Sequence, residues 1–194
     1  MKQPGLIRMA VADDARDVRE IYAPFVTDSA VSFEQTPPTE SEMAQRIRAT
    51  LERTPWLVYE ENSRVLGYAY AGKHRDRAAY QWSVEVSAYL RTEAHGKGIA
   101  RALYDRLFRI LVVQGFYSAF AGITLPNDAS VAFHRAAGFQ WIGTFHSIGY
   151  KFGQWHDTGW LERSLRSYDP PAEPPIPLSH IPCTAIDDVL KHDQ

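Results

Sequence analysis

The sequence predicts a mixed α/β domain built on a central sheet with helices on both faces. Short apolar stretches such as residues 56–60 and 84–90 are typical of strands, whereas residues 99–111 repeat apolar side chains at helical spacing. These segments follow one another in the order β, α, α, β, β, β, α, β, α, β, β. With 194 residues, 45% of them hydrophobic, the chain is long enough to bury one sizeable core.

Each predicted element has a local cause in the sequence. The capping box Thr39–Glu42 starts the second helix, and Gly115 stops the third. Asp13 and Asp14 offer caps for the first helix and Asp128 for the fourth, and Pro24 should kink or end the first. Strands are expected at residues 6–11, 56–60, 65–70, 81–90, 119–124, 141–148 and 158–165.

Composition and charge exclude several classes of function. The formal net charge of −2 argues against nucleic acid or a membrane surface as the main partner. No apolar run approaches the roughly 20 residues that a membrane span needs, and no apolar signal-peptide core follows Met1. The single cysteine, Cys183, permits no internal disulfide and suits a reducing compartment. We therefore expect a soluble, cytoplasmic protein.

The composition changes after Ser167, where prolines recur between residues 170 and 177. A proline-rich segment is extended rather than helical. The sequence is therefore divided into a domain at residues 1–167 and a proline-rich C-terminal tail at residues 168–194. No metal site is predicted, because the histidines show no metal-ligand spacing with the cysteine.

An apolar strand, residues 84–90, is followed by a glycine loop, His95–Ala100, that opens a helix. A helix start leaves backbone N–H groups without partners and carries partial positive charge. Gly96 and Gly98 have no side chains to keep a bulky anion away. The loop therefore suits a phosphate or pyrophosphate, although a tight strand-to-helix turn would need glycine as well.

Several longer motifs resemble the GNAT acetyltransferases, and in particular the phosphinothricin N-acetyltransferases. The resemblance covers residues 6–165 and rests on segments that occur in matching order. These segments are Val31–Glu34, Pro55–Val58, Gly67–Gly72, Ala79–Glu85, Leu125–Val131 with His134, and Gly149–Asp157. The resemblance implies the GNAT acetyltransferase fold, a central mixed, twisted sheet flanked by helices, with acetyl-CoA as co-substrate. It also implies a homodimer, for which the late strands offer an interface.

The resemblance implies where acetyl-CoA would bind. The strand backbone at residues 88–90 would pair with the pantetheine arm, and an N–H at about Tyr89 would face the thioester oxygen. The side chain of Asn127 would hydrogen-bond the pantetheine portion, unless it only forms the turn after Pro126. The expected cofactor-binding residues are Ala88, Tyr89, Leu90, Gly96, Lys97, Gly98, Ile99, Ala100, Arg101, Asn127, Ser130 and Phe133.

Two residues are candidates for catalysis. Glu85 lies in a mostly apolar strand and matches the family's catalytic glutamate, and partial burial would raise its pKa toward neutrality, as a general base requires. The alternative is a glutamate on a solvated strand face. His134 stands where many GNAT members have a tyrosine that protonates the departing thiolate, and a structural role is the alternative.

The acceptor site is expected near the loop between the third and fourth strands. Lys73, Arg75 and Arg77 make this loop basic, which suits an anionic amino acid, or simply a solvated hairpin. Arg77 matches an arginine of the resembling enzymes, and Tyr80 lies close by in sequence. Phe33 offers an apolar wall, unless it is a core residue. We assign Phe33, Arg77 and Tyr80 to acceptor binding.

The predicted activity is acetyl-CoA-dependent N-acetylation of a small amino-acid-like amine. The resemblance makes phosphinothricin, methionine sulfone and methionine sulfoximine the leading acceptors. A polyamine or a peptide N-terminus is the alternative acceptor within the same chemistry. A protein that binds acyl-CoA as a sensor, without turnover, is the alternative outside it.

Overall fold

The computed structural model describes residues 5–168 and 173–191. Seven strands form one sheet in the order β1-β2-β3-β4-β5-β7-β6. They are β1 (Leu6–Met9), β2 (Trp56–Glu61), β3 (Arg64–Lys73), β4 (Ser83–Leu90), β5 (Ser118–Thr124), β6 (Gln140–Lys151) and β7 (Gln154–Ser164). The α-helices are α1 (Ala15–Thr27), α2 (Glu40–Leu51), α3 (Ile99–Gln114), α4 (Asp128–Ala136) and α5 (Cys183–Lys191).

Two cores confirm that helices cover both faces of the sheet. On one face, α3 packs Leu103 and Leu107 against Val84 and Val86 of β4. On the other face, α1 and α2 cover β2 and β3 with residues such as Ile47. Because side chains alternate along a strand, Glu85, Ser87 and Tyr89 of β4 point to the α1–α2 face, and Ala88 and Leu90 share the α3 face with the valines.

Strands β4 and β5 run parallel and pair along only part of their length. The register joins Ser83 to Ser118 and ends where Glu85 meets Phe120. Both strands continue beyond this pair, to Leu90 and Thr124, and separate as they go. The fold therefore opens a gap in the middle of the sheet, and Glu85 lies where the gap begins.

The predicted stop and start signals mostly hold. Thr39 Oγ1 accepts a hydrogen bond from Glu42 N at 3.2 Å, and the Glu42 carboxylate accepts one from Thr39 N at 2.7 Å. Gly115 ends α3 in the left-handed conformation, with φ 94°. Pro24 does not end α1, which continues to Thr27, because the proline lies in the last turn of the helix.

The predicted cap at Asp128 is wrong, and Asp14 occupies the cap position of α1 without a capping hydrogen bond. The cap of α4 is Asn127, whose Oδ1 accepts a hydrogen bond from Ser130 N at 3.1 Å, so Asp128 is already the first helical residue. Asp14 makes no side-chain cap to α1. Its carboxylate instead binds the Arg8 guanidinium at 2.7 and 2.8 Å and accepts a hydrogen bond from Val11 N.

The last hairpin is longer than the sequence predicts. Strands β6 and β7 extend to Lys151 and from Gln154, whereas the apolar pattern predicts an end at residue 148 and a start at residue 158. The connection is the two-residue turn Phe152–Gly153, in which both residues have positive φ. A hairpin turn of this kind usually has asparagine or aspartate at the first position, so Phe152 hides it from sequence inspection.

The C-terminal segment packs on the domain, and it ends in a helix that the sequence analysis did not predict. Residues 173–177 are extended, as expected, and the tail prolines at positions 170 and 171 lie outside the described residues. Ile176 exchanges hydrogen bonds with Gln114, since its N donates to Gln114 O and its O accepts from Gln114 Nε2, both at 2.8 Å. Val189 of α5 is buried in the α3-side core. The domain boundary at residue 167 stays a prediction.

Candidate active site

The gap between β4 and β5 forms a groove that runs through the sheet. We call it the cofactor groove. Its walls come from both strands, from α4 and from the loop after α1, so it opens toward both faces of the sheet. It is lined by Val31, Val86, Ser87, Ala88, Tyr89, Gly122, Ile123, Thr124, Asn127, Ser130 and His134.

The predicted strand residues lie on one edge of this groove. Ala88 and Tyr89 pair on one side with Ala69 and Tyr68 of β3, and Leu90 pairs with Gly67. Their other side faces the gap. The Tyr89 ring points away from the gap and packs edge-on against Tyr22, with ring centroids 5.2 Å apart.

The predicted glycine loop lies at the start of α3. Gly96 and Gly98 have positive φ values of 71° and 77°, a conformation that glycine adopts without strain. A Cβ built on either glycine meets nothing within 4 Å, so space is open beside the loop. Lys97 is exposed. The loop therefore presents accessible backbone at a helix N-terminus, as an anion site requires.

The remaining predicted residues of the loop and helices make contacts within the protein, and their part in cofactor binding stays a prediction. Ile99 is buried in the core, and Ala100 is half-buried. The Arg101 guanidinium donates to Asp105 Oδ1 at 3.0 Å and to Ala136 O at 2.8 Å, which ties α3 to α4. Phe133 packs on Tyr104, with ring centroids 5.2 Å apart.

Glu85 is paired with a histidine. His74, which follows β3, has its Nδ1 3.0 Å from Glu85 Oε1, and its side chain is only 9% exposed, against 41% for that of Glu85. Burial raises the pKa of Glu85 above its ordinary value, while the hydrogen bond and charge of His74 and the charge of Arg75 act in the opposite direction. Glu85 is thus a partly buried carboxylate with one oxygen held.

An aromatic pocket lies next to this pair. We define it by its lining residues, His74, Arg75, Phe120, Ile142, Gly143, Thr144, Phe145 and Trp160, which enclose about 310 Å³. Phe120 is the register partner of Glu85, so their side chains are neighbours on one face of the sheet. The pocket therefore begins beside the candidate base and reaches β6.

His134 lies on the other side of the groove in a fixed hydrogen-bond arrangement. Its Nδ1 is 2.8 Å from Ser130 O, and its Nε2 is 3.1 Å from the Tyr104 hydroxyl. A carbonyl oxygen can only accept, so Nδ1 carries the proton and, in the neutral ring, Nε2 accepts from Tyr104. Burial lowers the pKa of His134, which favours that neutral ring.

The three residues predicted to bind the acceptor are not gathered in one place. Tyr80 lies beside the base pair, since its ring meets the His74 ring edge-on at 6.2 Å. Phe33 packs on the β6–β7 hairpin, so closely that a Cβ on Gly149 would lie 2.4 Å from its ring. Arg77 is exposed, and its carbonyl accepts a hydrogen bond from Tyr80 N.

A buried lysine joins the last hairpin to the loop after α1. Lys151 is 3% exposed, and its ammonium donates to Val26 O at 2.7 Å, Ser29 O at 3.1 Å and Ser32 O at 2.6 Å. Val31, within this loop, lines the cofactor groove. Lys151 therefore holds one wall of the groove, a role that the motif at residues 149–157 did not reveal.

Sequence inspection missed three participants in the site. His74 has no role in the sequence analysis, yet it lies two residues beyond Gly72, which is the register partner of Glu85. That antiparallel register was the available signal, because a residue two positions beyond the partner lies within reach on the same face. Tyr104 and Trp160 look like ordinary core aromatics, and nothing local in the sequence distinguishes them.

Comparison with known proteins defines the class. A model of the acetyltransferase (GNAT) domain matches residues 7–160. The chain belongs to the GNAT acetyltransferases, which confirms the predicted enzyme class and the predicted fold. In this chain the gap between β4 and β5 forms the groove, and the glycine loop lies at the start of α3.

Individual relatives narrow the family. The chain is 38% identical over 180 residues to the phosphinothricin N-acetyltransferase of Streptomyces viridochromogenes, covering 93% of this chain and 98% of that one. It is 32% identical to the L-methionine sulfoximine/L-methionine sulfone acetyltransferase of Salmonella typhimurium, covering 85% and 97%. The resemblance to the phosphinothricin N-acetyltransferases is therefore confirmed.

A solved structure shows the same likeness. The GNAT superfamily phosphinothricin acetyltransferase of Sinorhizobium meliloti, in complex with acetyl-CoA, superimposes with a TM-score of 0.81 at 38% identity. The match covers 89% of this chain and 94% of that one.

Residues 5–168 and 173–191 contain neither a candidate membrane span nor a candidate metal site. No helix there combines the length and apolar character of a membrane span. No group of three or more histidine, cysteine, aspartate or glutamate side chains is placed there to hold a metal ion.

Proposed function

We propose that this protein transfers the acetyl group of acetyl-CoA to the amine of a small amino-acid-like acceptor, such as phosphinothricin, methionine sulfone or methionine sulfoximine. The observation that carries the proposal is the gap between β4 and β5, which begins at a partly buried carboxylate. The names of the relatives give the acceptor class.

The chemistry of the groove and of the glycine loop suits acetyl-CoA. Gly96 and Gly98 leave open space and backbone N–H groups for the pyrophosphate, with Lys97 beside them in solvent. The free side of β4 at residues 88–90 supplies main-chain groups for the pantetheine arm, which carries amides. Asn127 lines the groove, although its Oδ1 is already used as the cap of α4.

Glu85 acts as the general base in this proposal. It takes a proton from the acceptor ammonium, directly or through a water, and frees the nitrogen lone pair. The nitrogen then attacks the thioester carbonyl carbon, and a backbone N–H near Tyr89 stabilises the negative oxygen. The carbon–sulfur bond breaks, the amide forms, and CoA leaves as a thiolate.

His134 helps the leaving group in a limited way. A thiol with a pKa near 8.5 leaves readily, so a proton donor is not essential. The neutral ring donates its Nδ1 proton to Ser130 O and holds no free proton for sulfur. Its contribution is to line the groove and to tie α4 to α3, and the acid role stays a prediction.

The aromatic pocket receives the acceptor in this proposal. It lies on the same sheet face as Glu85, and Arg75 at its rim supplies a guanidinium for a carboxylate. Trp160 and Phe120 offer apolar walls for the aliphatic part of an amino acid. Tyr80 is beside this pocket, whereas Arg77 and Phe33 remain predictions.

The experiment is CoA release from acetyl-CoA by the purified protein with a panel of amines. The panel holds phosphinothricin, methionine sulfone, methionine sulfoximine, spermidine and a short peptide. Turnover with any of the first three supports the proposal. Turnover confined to spermidine or peptide keeps the chemistry and contradicts the acceptor class, and tight acetyl-CoA binding without any turnover supports a sensor.

The proposal includes a homodimer in the cytoplasm that binds no nucleic acid. Strands β6 and β7 expose large apolar side chains, among them Ile148 at 56% and Trp155 at 64% exposure, which a second copy would cover. The net charge of −2 and the exposed Cys183 agree with the other two parts. Trp155→Glu should reduce the mass measured by light scattering from dimer to monomer, and a monomeric wild type would contradict the dimer.

A further inference from the structure

We infer that His74 is a positioning residue for acetyl transfer. Its Nδ1–H holds Oε1 of Glu85, keeps the carboxylate ionised and leaves Oε2 for the acceptor amine. This inference rests on the proposed function. It concerns a side chain to which the similarity to known proteins assigns no role.

His74 and Glu85 form a hydrogen bond where the gap between β4 and β5 begins. The 3.0 Å separation between His74 Nδ1 and Glu85 Oε1 is that of a hydrogen bond to a carboxylate. An ionised carboxylate can only accept, so the proton belongs to Nδ1. A donor on one oxygen stabilises the charged form, which opposes the burial that disfavours it.

Neighbouring aromatic rings hold the His74 ring in place. It stacks on Phe120 with centroids 4.3 Å apart and an interplanar angle of 11°. Trp160 meets it edge-on at 5.9 Å and Tyr80 at 6.2 Å, so neighbours from three parts of the chain fix its orientation. A ring held in this way directs its Nδ1–H at one point and loses little freedom when Glu85 ionises.

The register of β3 against β4 brings His74 close to Glu85. Gly72 is the register partner of Glu85 on β3, and a Cβ there would meet nothing within 4 Å. A side chain at position 72 would stand directly opposite Glu85. His74 lies two residues further on, on the same face as Glu85, and reaches the carboxylate from the side of the loop.

The surroundings contain few other groups that set the charge of the pair. The charge of Glu85 contributes to raising the pKa of Tyr70 on the neighbouring strand β3. Arg75 is the nearby cation. From β5 and β7 the facing rings are Phe120 and Trp160, which do not titrate. The charged and titratable neighbours are therefore Tyr70 of β3, Arg75 and Tyr80 of the loop, and the exposed Glu162 of β7.

The test separates the hydrogen bond from the ring. His74→Phe keeps an aromatic ring for Phe120 and removes the donor, and His74→Gln restores an N–H donor without the ring. His74→Met, which also lacks a donor, replaces the Phe variant if that variant does not fold. His180→Phe is the matched control, because it changes an exposed histidine on the C-terminal segment.

The first readout does not require turnover. The carboxyl carbon of Glu85 is titrated by NMR in protein carrying ¹³C-labelled glutamate, with its signal assigned from Glu85→Gln. Loss of the donor should raise the Glu85 pKa by about one unit, the size expected for one hydrogen bond to a charge. The Gln variant should return most of the shift, and the control should show none.

The second readout is the dependence of kcat/KM on pH with an accepted amine. The Phe variant should move the acid limb to higher pH by about one unit and lower kcat/KM roughly tenfold below it, with KM for acetyl-CoA unchanged. An unshifted Glu85 titration and an unshifted acid limb in the Phe variant would overturn the inference. If no amine is acetylated by the wild type, the proposed function fails, and the NMR titration still decides whether His74 controls Glu85.

Discussion

Two histidine pairs lie on opposite sides of the cofactor groove, and they are built for different states. His74 pairs with Glu85, a carboxylate whose side chain is 41% exposed. His134 pairs with Tyr104, a tyrosine that is fully buried, and its other nitrogen binds Ser130 O. The first pair contains a group that can exchange protons with solvent, whereas the second is closed on both nitrogens.

The difference indicates where protons move during the reaction. Burial raises the pKa of Glu85 and lowers that of His134, and both shifts favour the uncharged form. A hydrogen bond opposes burial at both groups, from His74 at Glu85 and to Ser130 O at His134, but only Glu85 keeps an oxygen without a hydrogen-bond partner in the described structure. We therefore expect the proton of the amine to be handled at Glu85, while His134 serves mainly to hold α4 against α3.

The substitution with the largest expected effect removes the proposed general base, Glu85. Glu85→Gln should lower kcat by about 10²- to 10⁴-fold, because a general base typically contributes that much to the rate. Steady-state kinetics with the best amine of the panel measures the loss. Glu52→Gln, on an exposed glutamate at the end of α2, is the matched control. Activity that stays near wild type in the Glu85 variant would remove Glu85 from the mechanism.

A second test disturbs the groove wall and leaves both pairs in place. Lys151→Met leaves three backbone carbonyls without their ammonium donor, which should lower the free energy of unfolding by about 2–3 kcal/mol. KM for acetyl-CoA should rise, because Val31 loses its support, while kcat should change little. Urea unfolding and kinetics measure the two effects. A fall in kcat with unchanged KM would show that Lys151 acts on the chemistry instead.

A third test removes the hydrogen bond between Tyr104 and His134. Tyr104→Phe removes the hydroxyl that serves Nε2 of His134 and leaves that nitrogen buried without its donor. The free energy of unfolding should fall by about 1–2 kcal/mol, with kcat almost unchanged. Tyr59→Phe, at a half-buried position on β2, provides the comparison. A large loss of kcat at unchanged stability would mean that His134 takes part in proton transfer.

The smallest expected effect is a difference in the sign of the pH dependence of stability. The folded-state pKa of Glu85 is raised above its ordinary 4.5, so its contribution is present at lower pH and is lost as pH rises through the folded value. The folded-state pKa of His134 is lowered below 6.5, so its contribution is present above 6.5 and is lost as pH falls.

Melting temperatures between pH 4 and pH 8 can measure this difference. Relative to wild type, Glu85→Gln should gain stability as pH rises, and His134→Gln should gain stability as pH falls. Both changes are expected to be small, since the Glu85 side chain is partly solvated. Parallel curves for the two variants would contradict the assigned protonation states.

Local signals in the sequence predicted most of the architecture. The capping box at Thr39 and the stop at Gly115 act within one helical turn, so inspection of neighbouring residues finds them. Helix α5 was missed because the prolines before it suggest extended chain, and its burial of Val189 depends on α3 being in place.

The site was predicted less completely than the fold. Glu85 was identified mainly because it matches the family's catalytic glutamate, since the local sequence allows a solvated strand residue as well, and the glycine loop was identified because its pattern is local. The His74–Glu85 contact depends on the register of β3 against β4 and on the rings of Phe120 and Trp160. Those rings come from strands 35 or more positions away, so no local pattern in the sequence contains them.

The three hydrogen bonds of Lys151 determine when the groove wall can form during synthesis. Its ammonium contacts carbonyls that lie 125, 122 and 119 positions earlier in the chain. During synthesis, the helices and first strands emerge long before the residue that fixes the loop at residues 26–32. The groove wall is therefore settled only after the last hairpin closes. A nascent chain that stops before residue 151 should bind acetyl-CoA poorly, even though most of its sheet is already present.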